Sequence, residues 1–171
     1  KTKWETLNTQ DYTLVRLLNH SVRLSVNTWR SLMPNRNEVA ANLAIAFAKA
    51  NLKVLVFVAS QKYTTSIQKI VENEFARVII SDYFHFPKIE QIKEELGDLC
   101  FSYVKPETAC AVHHGLMLPE EREFMEACYV QTPINILVAT PTLAQGINLP
   151  ADVVLIAGDD RFDAKTQEVE K

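Results

Sequence analysis

The sequence predicts an α/β fold in three layers, a mainly parallel β-sheet with helices on both faces. Apolar runs too short and too uniform for amphipathic helices recur at residues 54–59 (VLVFVA), 110–112 (CAV), 136–139 (ILVA) and 153–157 (VVLIA), as strands buried on both faces do. Stretches with apolar residues at helical spacing separate them. The first and third runs end on Ser60 and Thr140, residue types that cap helices. Such alternation specifies parallel strands, whose carboxyl ends form the edge where ligands bind.

A chain of 171 residues is long enough for a single domain with its own core, and 47% hydrophobic with 23% charged residues is the composition of a soluble globular protein. No apolar run is long enough to cross a bilayer, and the first residues, KTKWETLNTQDY, lack the apolar segment of a signal peptide, so the expectation is a cytoplasmic protein with no membrane partner. Cys100, Cys110 and Cys128 have an odd count and no metal-ligand spacing, and are read as reduced core thiols. With a net charge of −3, no global basic field recruits nucleic acid, so any such binding must be local. There is no G-x-x-x-x-G-K-[ST] loop and no glycine-rich dinucleotide fingerprint; by itself the chain is not expected to be a P-loop ATPase.

Residues 1–33 are read as a linker or inter-domain segment. Asp11 can cap a short helix through Leu14, Val15 and Leu18, residues 21–28 alternate as a half-buried strand does, and Trp4 and Trp29 are read as packing residues. Residues 34–160 carry the main domain. Asn35 or Asn37 can cap a helix with Val39, Leu43, Phe47 and Ala50 on one face, ended by Asn51. After the first apolar run, Ser60 can cap a helix bearing Ile67, Ile70, Val71 and Phe75. Residues 77–80 read as a further short strand. Pro87 opens a charged helix closed by Gly97, within a segment, 82–106, that interrupts the rhythm as an insertion does.

Residues 110–112 lead into His113-His114-Gly115. No metal-ligand spacing accompanies the histidines, so no metal site is expected; the turn either contacts a ligand phosphate or base, or holds rings satisfied by neighbouring backbone. Pro119, Glu120 and Glu121 start the next helix, where the acids complement its dipole, and Phe124 and Cys128 mark its buried face.

Residues 136–151 (ILVATPTLAQGINLPA) are the centre of the pattern. Thr140 caps and Pro141 opens a helix after the strand, Thr142 adds a second hydroxyl, and such a helix start can seat a phosphate; an ordinary strand-to-helix crossover is the alternative. Gly146 stops the helix, and Asn148 precedes Leu149-Pro150. The strand 153–157 is expected to be buried on both faces. Asp159 and Asp160 are read as solvated carboxylates rather than a Mg²⁺ site, and residues 161–171 as a polar, frayed tail.

Taken in order, VLVFVASQKYT, AVHHGLMLPEER and ILVATPTLAQGINLPADVVLIAG resemble the second, C-terminal RecA-like domain of superfamily two nucleic-acid helicases of the DEAD/DEAH type, in the superkiller-like branch. The resemblance covers about three quarters of the chain and implies the P-loop NTPase type of helicase C-terminal fold. It implies that Ser60, Gln61, His114, Gly115, Thr140 and Thr142 line a translocated DNA or RNA single strand, while Gly146 and Asn148 face the nucleotide cleft.

ATP and Mg²⁺ are implied for the parent protein, bound mainly by a first RecA-like domain that the sequence does not contain. That domain is the implied intramolecular partner. The arginine-bearing sixth motif is also missing, so residues 161–171 are read as a truncated tail. The expectation is therefore a fragment of an ATP-dependent helicase with no catalytic residues of its own and no ATPase activity alone. The alternative is a RecA-like scaffold or protein-interaction module.

Overall fold

The computed structural model describes residues 5–7, 14–16, 26–28, 31–83, 85–87, 94, 97, 105–144, 149–157, 161–163 and 168–170. Two antiparallel hairpins come first: β1 (Glu5–Leu7) with β2 (Leu14–Arg16), and β3 (Val26–Thr28) with β4 (Ser31–Pro34). The helix expected over Leu14 and Val15 is thus a strand. Its partner supplies the main-chain hydrogen bonds that an isolated turn of helix could gain only after a costly nucleation.

Helix α1 (Arg36–Lys49) starts where the sequence predicts. Asn35 takes the cap, its side-chain oxygen accepting the Asn37 N–H at 3.0 Å. Asn51 follows the helix with φ 62°, the left-handed conformation that Asn tolerates and that stops a helix. The buried face is turned from the expected one: Ala40, Ala41, Ala44, Ile45, Phe47 and Ala48 pack inward, while Ala50 is exposed. Four of these are alanines, small enough for the helix to lie close to the sheet and to its neighbour.

Strand β5 (Val54–Phe57) leads into helix α2 (Gln61–Glu72), which buries Thr64, Ile67, Gln68 and Val71. Residues 77–80, expected to add a strand to the alternation, instead give β6 (Val78–Ile79), which pairs antiparallel with β7 (Glu107–Thr108) outside the main sheet. This ribbon brings together the chain on either side of the expected insertion. Pro87 and Glu94 are helical there and Gly97 has φ 62°, while the rest of that charged helix lies outside the described residues.

Strand β8 (Ala111–His113), helix α3 (Pro119–Gln131), β9 (Ile136–Ala139) and β10 (Val153–Ile156) complete the domain. The sheet order is β10-β5-β9-β8, all pairs parallel, with Val56 opposite Val138 and Leu155, and Val138 opposite Val112. Side chains alternate across it. Val54, Val56, Val58, Ile136 and Val138 meet α1 and α2, whereas Leu55, Leu137 and Ala139 join the core built with Phe124, Met125, Cys128 and Tyr129 of α3. The three-layer, parallel α/β architecture is therefore as the sequence predicts.

Strand β10 departs from its expected burial. Val153, Leu155 and Ala157 pack toward α1, but Val154 and Ile156 are exposed. It is one of the two edge strands, and α3 packs on β8 at the opposite edge. The tail also differs: β11 (Arg161–Asp163) and β12 (Glu168–Glu170) form an antiparallel hairpin rather than a frayed end, with Phe162 in register with Val169.

Candidate nucleic-acid interface

Because β5, β8 and β9 are parallel, the residues that follow them emerge at one edge of the sheet. Ser60 follows β5, His114-Gly115 follows β8 and Thr140 follows β9. The ladder continues past the strands: Val58 N–H donates to the Ala139 carbonyl at 2.9 Å and Thr140 N–H to the His113 carbonyl at 3.0 Å. The ends of three strands are thus fixed relative to one another by main-chain hydrogen bonds.

Ser60 occupies the cap position of α2 in extended conformation, φ −148° and ψ 158°, without the side-chain hydrogen bond usual for a capping serine. Its carbonyl accepts the Tyr63 N–H, and the carbonyl of Gln61, first residue of the helix, accepts the Thr64 hydroxyl at 2.7 Å. Both side chains are half-buried.

The two histidines are inside. His113 is 2% and His114 1% exposed, so the surface of this turn is Gly115 and Leu116, the latter 71% exposed. His113 Nε2 lies 3.0 Å from Glu126 Oε1 on α3. Burial, then the Arg122 guanidinium and the neighbouring His114, push the His113 pKa down to about 4. The ring is therefore neutral at pH 7, in contact with the Glu126 carboxyl. Burial likewise lowers the pKa of His114, and raises that of Glu126, where Glu123 acts in the same direction and Arg122 opposes it.

Thr140 is only 8% exposed. Its carbonyl accepts Leu143 N–H at 3.0 Å within a 3-10 turn, Pro141–Ala144, so Pro141 opens a 3-10 turn where a helix was expected, and the described part is too short to sum peptide dipoles as a long α-helix does. The Thr142 side chain, Gly146 and Asn148 lie outside the described residues. So does Cys100, while Cys110 and Cys128 are buried free thiols whose pKa is raised by burial. Among the described residues no group of three or more His, Cys, Asp or Glu is placed to hold a metal ion, and no helix is long and apolar enough to cross a membrane.

Local patterns did not single out the His113–Glu126 pair. Thirteen positions separate the two residues, and nothing in that spacing says that α3 folds back beside the end of β8.

Residues 84–167 match the helicase conserved C-terminal domain. That segment of the chain is similar to helicase C-terminal domains. It is 31% identical over 130 residues to activating signal cointegrator 1 complex subunit 3 of Dictyostelium discoideum, covering 72% of this chain and 6% of that protein. It is 29% identical over 110 residues to the ATP-dependent DNA helicase Hel308 of Thermoplasma volcanium, covering 64% of this chain and 15% of that protein. A crystal structure of the DUF1998 helicase MrfA bound to DNA and AMPPNP aligns with 75% of this chain and 14% of that one, at 19% identity and a TM-score of 0.49. The chain thus spans a small part of the curated relatives it matches.

Proposed function

We propose that this chain is the second RecA-like domain of an ATP-dependent helicase and holds the backbone of a DNA or RNA single strand at the carboxyl edge of its sheet. The observation that carries the reading is the placement of Ser60, His114-Gly115 and Thr140 after three adjacent parallel strands. Gln61 and Thr142 extend the same edge. Hydroxyls and main-chain N–H groups grip phosphates without reading bases, which suits a chain with net charge −3 and no global basic field. Gly115, exposed and without a side chain, lets a sugar-phosphate backbone approach the turn closely.

Gly146 and Asn148 are assigned to the ATP-facing side of the same segment. ATP and Mg²⁺ would supply phosphoryl-transfer chemistry in the parent, held mainly by a first RecA-like domain. This chain's own part is to hold the strand. The Thermoplasma volcanium relative is an ATP-dependent DNA helicase, and nothing among the described residues favours a purely scaffolding module.

Fluorescence anisotropy with short labelled single strands tests the reading. The expected result is salt-sensitive binding that is weakened by Thr140→Ala with Thr142→Ala. Absence of binding at low salt would overturn it and favour the scaffold. The purified chain is expected to show no ATPase activity; hydrolysis above that of a Thr140→Ala, Gly146→Ala variant would refute the assignment of the chemistry to the rest of the parent.

A further inference from the structure

His113 is tied to two separate parts of the domain at once. Its Nε2 lies 3.0 Å from Glu126 Oε1 in the middle of α3, and its carbonyl accepts the Thr140 amide at 3.0 Å. In the sheet it stands in register with Ala139, directly before Thr140, and on its own chain it directly precedes His114 and Gly115. The histidine ring is 2% exposed and the Glu126 side chain is half-buried, so the contact between them is sheltered from competition by water. A leucine or valine would fill such a space with less desolvation cost; an imidazole there has to be held by its partner.

We propose that His113 is a positioning residue for the strand-holding edge, its ring anchored on Glu126 so that its carbonyl sets where Thr140 lies relative to the His114-Gly115 turn. The inference rests on the nucleic-acid reading of that edge, but it makes a structural claim that can fail separately. Without the anchor, the end of β8 is free to shift against β9, and the two segments that would contact neighbouring phosphates lose their fixed spacing. Because neither His113 nor Glu126 is at the outer surface of the turn, the effect is transmitted through the main chain rather than by contact with the strand.

The test compares Glu126→Gln, which keeps a carbonyl oxygen to accept the Nε2–H, with Glu126→Leu, which removes the acceptor at similar size. Amide hydrogen exchange in the 171-residue chain reads the positioning directly. Glu126→Leu is expected to speed exchange of the Thr140 amide about tenfold while leaving the Val56 amide in β5 unchanged, and Glu126→Gln to leave both within about twofold. Equal acceleration at Thr140 and Val56 would mean a loss of global stability only and would overturn the proposal, as would no acceleration at Thr140.

The same variants in the anisotropy assay are expected to give weaker binding for Leu and near wild-type binding for Gln. If the wild-type chain binds no oligonucleotide, the nucleic-acid reading falls while the exchange result still decides the anchoring. Should Glu126→Leu fail to fold, the wild-type imidazole spectrum serves: a slowly exchanging Nε2–H on His113 supports the anchor, and a rapidly exchanging ring or the Nδ1–H tautomer overturns it.

Discussion

The ammonium of Lys53 sits 2.6 Å from the carbonyl oxygen of Tyr129 and also donates to the carbonyls of Ile134, at 2.8 Å, and Thr132, at 3.3 Å. One cation thereby closes the carboxyl end of α3, where unpaired carbonyls and the negative end of the helix dipole converge. It also lies 5.0 Å from the centre of the Tyr129 ring. The main chain of Lys53 is tied across the sheet, its N–H to Asp152 Oδ2 at 2.7 Å and its carbonyl to the Asp152 N–H at 2.9 Å. The residue thus joins α3, β5 and β10 at the edge of the sheet opposite the candidate interface.

Lys53→Met should accordingly cost stability without touching the interface. It leaves three carbonyls without their charged donor, and losses of about 2–3 kcal/mol are expected for breaking a charge-assisted set of this kind. Urea denaturation checks this: the midpoint should fall with the slope unchanged, and single-strand binding of the folded variant should be unaltered.

The close seating of α1 gives a second expectation. Ala44 has no exposed surface and lies among Val54, Val56 and Ile67 in one core, so Ala44→Leu should destabilise by about 1–3 kcal/mol through overpacking. Ala50, exposed at the end of the helix, should accept leucine with little change in the thermal midpoint.

His113 imposes a pH dependence. Its folded pKa of about 4 lies below the ordinary value of 6.5, so as pH falls from 6.5 toward 4 the unfolded chain takes up a proton that the folded chain refuses, and stability is lost. The raised pKa of Glu126 acts oppositely, since the folded carboxyl takes its proton first. Between pH 7 and pH 5 the wild type should lose up to about 2 kcal/mol more than His113→Gln. Unfolding free energies at the two pH values measure the difference; equal losses would show that the ring titrates normally.

Ser60 separates capping from binding. A capping serine usually contributes about 1 kcal/mol through its side-chain hydrogen bond, which Ser60 does not make. Ser60→Ala should therefore leave the thermal midpoint nearly unchanged yet weaken single-strand binding severalfold. A lowered midpoint with unchanged binding would assign the hydroxyl to structure instead.

The sequence by itself determined the layers, the parallel sheet and the order of the turns at its carboxyl edge. Uniform apolar runs such as 54–59 and 136–139 suit only strands covered on both sides, and Asn35, Asn51 and Pro119 mark helix ends through local backbone chemistry. Those are short-range effects, legible one window at a time. Tertiary structure alone decided which face of α1 is buried, that residues 14–16 pair as a strand, and that β10 is covered on one side only. It alone decided that both histidines point inward, that Lys53 finds partners far along the chain, and that Glu126 lies beside the end of β8. Each of these depends on which elements become neighbours, and a hydrogen bond between residues brought together by the sheet leaves no periodicity in the sequence to find.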